Sequence, residues 1–121
     1  MAKILFAEDS ATDYAYLADI LKSTSHQFVG VRNGEEAEAH ARRDEFDLFI
    51  LDVIMPGKNG FQICRALKRD PQTAGIPVIL TTSKDADSDK FWGEKQGADI
   101  YITKPYTPNQ LLEAIDKVLK P

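Results

Sequence analysis

An apolar run, Phe46-Asp47-Leu48-Phe49-Ile50-Leu51, leads straight into Asp52, and a turn-forming stretch, Val53-Ile54-Met55-Pro56-Gly57-Lys58-Asn59-Gly60, follows it. A carboxylate at the tip of a buried strand is costly unless that tip opens onto water or a cation. Two more strand-like segments end on charge. Ile4-Leu5-Phe6-Ala7 runs into Glu8-Asp9, and the segment from Asp99 to Thr103 runs into Lys104-Pro105. If these strands lie parallel and adjacent, acidic and basic tips meet on one edge, which has the makings of a metal and phosphate site. Three carboxylates there would repel: at roughly 5 Å and an effective dielectric near ~20, each pair costs about 3 kcal/mol. A cation must offset that. Mg²⁺ suits best, because it takes one or two carboxylates, keeps waters and accepts a phosphate oxygen. No His or Cys cluster favours zinc, and His26 and His40 stand far in sequence from the strand tips.

Positioning these tips requires five strands, and the pattern supplies them. Strand and helix alternate five times, which argues for an α/β fold with a parallel sheet. The strands are expected at Lys3 to Glu8, Gln27 to Val31, Phe46 to Leu51, Pro77 to Thr81, and Ile100 to Ile102. The first helix, from about Ser10 to Ser23, carries Tyr14, Leu17, Ala18 and Leu21 at helical spacing, with Ser10 as its N-cap. Asn33 caps the second, with Glu36 completing a capping-box pattern, and Ala37, Ala39 and Ala41 are its packing residues. The third, Asn59 to Arg69, presents Phe61, Cys64 and Leu67 and stops before Pro71. The fourth runs from Asp87 to Gln96 and closes at Gly97. Thr107 caps the last, whose apolar face is Leu111, Leu112, Ile115, Val118 and Leu119. Right-handed crossovers bring Glu8-Asp9, Asp52, Thr82-Ser83 and Lys104 to one sheet edge, where ligands of open α/β sheets bind.

Bulk properties narrow the function. With 121 residues, 43% of them apolar and 28% charged, the chain reads as one domain, residues 1–121, without repeat or linker. A formal net charge of −4 argues against a nucleic-acid surface. The Arg65, Lys68, Arg69 group reads as a solvated helix face. No apolar run approaches the roughly 18 residues that span a bilayer, and no signal-peptide pattern opens the chain, so a cytoplasmic location is expected. The single cysteine, Cys64, excludes an internal disulfide and reads as a buried packing residue.

Glu8-Asp9, Asp52 with Met55-Pro56-Gly57-x-x-Gly60, Thr82-Ser83 and Lys104-Pro105 together resemble the CheY-like receiver domain of two-component response regulators, over the whole chain. Taken singly, Thr82 or Ser83 is a strand-end residue, Lys104 a surface lysine and Gly57 a turn; their convergence carries the resemblance. It implies a flavodoxin-like (βα)5 fold with five parallel strands in the order 2-1-3-4-5. It implies that Asp52 accepts a phosphoryl group from a sensor histidine kinase or phosphotransfer protein. Asp9 and Asp52 would bind Mg²⁺ through side chains, Ile54 through its carbonyl, and Glu8 through water. Lys104 would pair with Asp52 at rest and with the phosphoryl oxygen afterwards. Thr82 would offer its hydroxyl, and a cis Lys104-Pro105 bond would aim the lysine. Tyr101 matches the family's aromatic switch, and the face read by a downstream protein would be helix four, strand five and helix five.

Phe91 reads as core, and Trp92 either as half-buried beside Gly93 or as part of a partner surface. Trp92-Gly93 with Gln96-Gly97 is also similar to single-domain regulators of twitching motility. The ending at Lys120-Pro121 suggests that no output domain is fused, leaving a stand-alone regulator or an excised domain. A Mg²⁺-dependent phosphatase with an aspartyl-phosphate intermediate would need Asp-x-Asp after strand one, where Glu8-Asp9-Ser10 stands. A phosphorylation-independent adaptor would not need intact acidic tips and Lys104. A flavodoxin-type cofactor binder would need a phosphate loop in place of those carboxylates. Two positions vary within the resembled family and flank the path of an attacking water: Ile54 and Lys84. Bulky, apolar Ile54 is expected to slow hydrolysis of a phosphoryl group on Asp52. The Ile54→Asn variant should lose that group faster, measured as decay of the phosphorylated mass; an equal or longer lifetime would count against the idea.

Overall fold

The computed structural model describes residues 1–83 and 87–119; Lys84 therefore lies outside the described residues. Its elements, in chain order, are β1 (Lys3–Ala7), α1 (Ala11–Lys22), β2 (Gln27–Val31), α2 (Gly34–Arg43), β3 (Leu48–Asp52), α3 (Gly60–Arg69), β4 (Val78–Thr82), α4 (Asp87–Lys95), β5 (Ile100–Thr103) and α5 (Pro108–Leu119). The five strands form one parallel sheet in the order β2-β1-β3-β4-β5, as the resemblance implies. The runs of the inner strands β1, β3 and β4 are continuously apolar rather than alternating because both faces are covered.

Alternating side chains divide the core in two. Leu5, Ala7, Phe49, Leu51, Val78 and Leu80 point to the side of α2 and α3, where Ala37, Ala41, Ile63, Cys64 and Leu67 meet them. Ile4, Phe6, Leu48, Ile50 and Ile79 point the other way, onto Leu17 and Leu21 of α1 and Leu111 and Ile115 of α5. β3 and β4 are buried along their whole length, including Asp52 and Thr82 at their ends. Full burial of such Leu, Ile and Phe side chains contributes about 1.5–3 kcal/mol each. Two strands start later than expected: β3 begins at Leu48 and β4 at Val78, so Asp52 and Thr82 are the last strand residues rather than the residues beyond.

The helix starts follow the capping chemistry. Ser10, Asn33 and Asn59 each accept a backbone N–H three residues on. The reciprocal box forms at Asn59 with Gln62. At Asn33 the second half is replaced: Glu36 Oε2 accepts the Arg32 N–H instead. The expected α2 packing is corrected too, since Ala39 faces out while Glu38 is buried, bonded to Arg42 and Lys58. Ala37 and Ala41 fall on one helical face four residues apart; Ala39 lies between them on the opposite side. Cys64 is buried, as expected, and burial pushes its thiol up to about 11. Lys68 departs from the solvated reading, because its Nζ donates to Ile76 O at 2.8 Å and pairs with Asp99.

The turn after β3 returns tightly. Gly57 has φ +72°, and Gly60 packs on the strand end so closely that a Cβ there would sit 2.4 Å from the Asp52 carbonyl oxygen. The Gly60 N–H donates to Val53 O at 2.9 Å. Backbone cannot move aside as a flexible side chain would, so Gly60→Ala is expected to cost about 2–3 kcal/mol. Urea unfolding should show it as a lower midpoint with unchanged slope; an unchanged midpoint would mean that the α3 start re-seats freely.

Candidate functional site

The carboxyl ends of β1, β3, β4 and β5 share one edge because all strands run the same way. Glu8 follows β1 with its backbone N–H on Val31 O, and its carboxyl is 1% exposed. Asp52 ends β3, buried, with Oδ1 accepting the Ile54 N–H at 3.3 Å. Thr82 ends β4, fully buried. Lys104 follows β5, its N–H donating to Thr82 O at 2.7 Å, and the Lys104-Pro105 bond is cis, as the resemblance implies. Asp9 is exposed, and its carbonyl accepts from Arg32 at 2.9 Å.

The Lys104 ammonium is the centre of the cluster. Nζ stands 2.8 Å from Asp13 Oδ2, 2.9 Å from Glu8 Oε2 and 3.6 Å from Asp52 Oδ2. Its expected resting partner, Asp52, is thus within ionic range but beyond a hydrogen bond, and two other carboxylates hold the lysine. Asp13 is the site residue that sequence reasoning missed. It lies three residues after Ser10 and so reads as an ordinary helix-start carboxylate; only the tertiary fold brings it to Lys104, 91 positions away.

Burial and the Asp52 carboxyl push Glu8 up to about 8, against the pull of Lys104. Burial opposes the Lys104 charge, but the hydrogen bonds to Asp13 and Glu8 outweigh it and hold the lysine above its ordinary value. Glu8 Oε1 is the buried side-chain oxygen without a hydrogen-bond partner among the described residues. It leaves the edge one donor or cation short.

Asp9, Asp13, Asp52, Ile54, Ser83 and Lys104 line a cleft of about 260 Å³. Among the described residues no three His, Cys, Asp or Glu side chains are close enough to hold a metal by themselves. The donors still fit Mg²⁺, an ion that uses one or two carboxylates and fills its remaining positions with water. Asp9 and Asp52 in one cleft meet that requirement, and the unpartnered Glu8 oxygen behind them gives a hydrated ion something to bond.

Tyr101 is half-buried in the middle of β5 against α4: a Cβ on Gly93 would lie 2.8 Å from its ring. Gly93 takes the inward position of α4, so Phe91, expected in the core, is 54% exposed, and Trp92 is 56% exposed. Trp92 is thus an exposed residue rather than one half-buried beside Gly93.

This fold and edge define a receiver domain of two-component signalling, and the chain belongs to the response regulator receiver domain family, which it matches over residues 4–116. Protein PilH of Pseudomonas aeruginosa is 44% identical over 119 residues, 98% of each chain. The phosphate regulon transcriptional regulatory protein PhoB of the same organism is 35% identical over 97% of this chain, which spans 51% of that protein's length. The solved structure of the chemotaxis response regulator CheY4 of Vibrio cholerae is 30% identical, with a TM-score of 0.92 over 98% of this chain and 99% of that one.

The raised Glu8 value carries a pH dependence. Its folded value of about 8 exceeds its ordinary value of 4.5, so between those limits the folded state binds more protons than the unfolded one. Metal-free stability should therefore be greatest below that window and fall as pH rises through it. Asp52→Asn removes a like charge, and should flatten the fall and raise the metal-free melting temperature near pH 8. A pH series of thermal melts checks both; an Asp52→Asn melting temperature below that of the parent protein would contradict the charge argument.

Proposed function

We propose that Asp52 accepts a phosphoryl group from the phosphohistidine of a sensor histidine kinase or phosphotransfer protein, and that residues 1–121 act as one receiver unit in the cytoplasm. The observation that supports it most is the meeting of Asp9, Asp52 and Lys104 in one cleft, with buried Glu8 bonded to Lys104 behind them. The Asp52 carboxylate attacks phosphorus; the new Oδ–P bond forms as the P–N bond breaks, and the imidazole leaves with the electron pair. Asp9 and Asp52, with the Ile54 carbonyl and Glu8 through water, would hold Mg²⁺. When bound there, the ion supplies neutralisation of charge on the transferring oxygens.

Lys104 gives its remaining donor to a phosphoryl oxygen, Thr82 offers its hydroxyl, and small Ser83 leaves the approach open. The chain promotes only its own phosphorylation and dephosphorylation and turns over no separate substrate. An acyl phosphate adds about one and a half to two negative charges beside Thr82. Thr82 moves toward them, Tyr101 turns into the space vacated, and the Tyr101–Gly93 contact passes the change to α4. The face of α4, β5 and α5 then binds a downstream protein rather than nucleic acid or membrane; exposed Trp92 lies on the other flank of α4, beside Arg65 and Arg69 of α3.

Acetyl phosphate with Mg²⁺ should add one phosphoryl mass to Asp52, with a change in Trp92 fluorescence, and Asp52→Asn should show neither. No Mg²⁺-dependent gain, or a gain that survives the substitution, would contradict the proposal.

A further inference from the structure

Ser10 and Asp13 have the spacing of a capping box, in which the second side chain would turn back to the Ser10 N–H. The Asp13 backbone N–H does donate to Ser10 Oγ, at 3.3 Å. Its carboxylate goes elsewhere, accepting from Lys104 Nζ at 2.8 Å. An ammonium has three donors. Glu8 after β1 and Asp13 in the first turn of α1 take two of them, and Asp52 Oδ2 is left at 3.6 Å.

That third distance matters for the chemistry. A lysine hydrogen-bonded directly to Asp52 would commit its third donor there and damp the charge of the attacking carboxylate. At 3.6 Å it keeps that donor in reach of an incoming phosphoryl oxygen. Glu8 alone is a single pivot, about which the ammonium can swing onto Asp52; a second carboxylate fixes the angle. Asp13 lines the same cleft, with 43% of its side chain exposed, and is well placed to do this.

We propose that Asp13 is a positioning residue for phosphoryl transfer: it holds the Lys104 ammonium off the Asp52 nucleophile and ready for the phosphoryl group. The inference rests on Asp52 being the phosphoacceptor. With acetyl phosphate, the Asp52 Oδ–P bond forms as the P–O bond to acetate breaks. Acetate leaves with the electron pair, and no proton moves, so the only help needed is charge placed beside the transferring oxygens.

The test compares Asp13→Ala, Asp13→Asn and Asp13→Glu by two readouts. In metal-free protein, the carboxyl ¹³C NMR signal of Asp52 should shift in the Ala and Asn variants as the ammonium closes on it, and stay near the parent position in Asp13→Glu. With Mg²⁺ and acetyl phosphate, the maximal phosphorylation rate should fall about five- to tenfold in Ala and Asn, with little change in the half-saturating donor concentration; misplacing a retained catalytic group has effects of this order or larger. Asp13→Glu should recover most of the rate. The partly exposed pair contributes little to stability, so the variants should melt close to the parent. An unmoved Asp52 signal, or a rate unchanged or increased, would overturn the proposal. If the parent protein gains no phosphoryl group at all, the phosphoacceptor reading fails instead, and the NMR comparison still decides whether Asp13 sets the lysine's position.

Discussion

One ammonium group keeps this sheet edge together. Lys104 faces three carboxylates, two of them buried, and is bonded to two. Removing one partner of a buried ion pair typically costs about 3–5 kcal/mol, because the other charge is left without water. The lysine does not satisfy everything: Glu8 keeps one bare oxygen and binds a proton far above the usual carboxylate range. The edge is therefore held by Lys104 and still under-neutralised, which is the charge balance the proposed Mg²⁺ site requires. The rest of the architecture serves that balance. The last strand must lie beside β4 to deliver Lys104, and two apolar layers hold the sheet rigid beneath it.

The same architecture explains where movement is cheap. β3 and β4 are buried throughout and cannot shift without disturbing the core. In α4, by contrast, Gly93 is the buried residue and the large side chains face out. A helix with so little buried apolar surface belongs to the low-stability end of the molecule. At Gly93 it meets the sheet through the Tyr101 ring and Leu80, Tyr101 lying one strand over from Thr82. The Tyr101 ring thus lies between the strand that ends in Thr82 and a helix with little buried apolar surface.

The strands and the acidic and basic tips were legible because charge at strand ends stands out against apolar runs; the strand order followed only from the family resemblance. Side-chain partners were less so. Asp13 carries a local capping signature that hides a partner 91 residues distant. Ala39, expected to pack, faces out because helical phase, not residue polarity, decides which side is covered, and two cations pair with its buried neighbour Glu38. Phe91 gives up the core position to a glycine because the Tyr101 ring already fills the space. In each case the competing term is tertiary, a contact between elements that a window of sequence does not contain.

The central claim is that the buried carboxylates need positive charge, which Lys104 supplies in part and Mg²⁺ completes. Thermal melting of Lys104→Met against the parent protein, with and without Mg²⁺ at a pH above the Glu8 value, addresses it most directly. The expected result is a large loss of stability in metal-free Lys104→Met, much of it recovered on adding Mg²⁺. Equal melting temperatures for the two metal-free proteins, or a loss that Mg²⁺ leaves untouched, would contradict the claim.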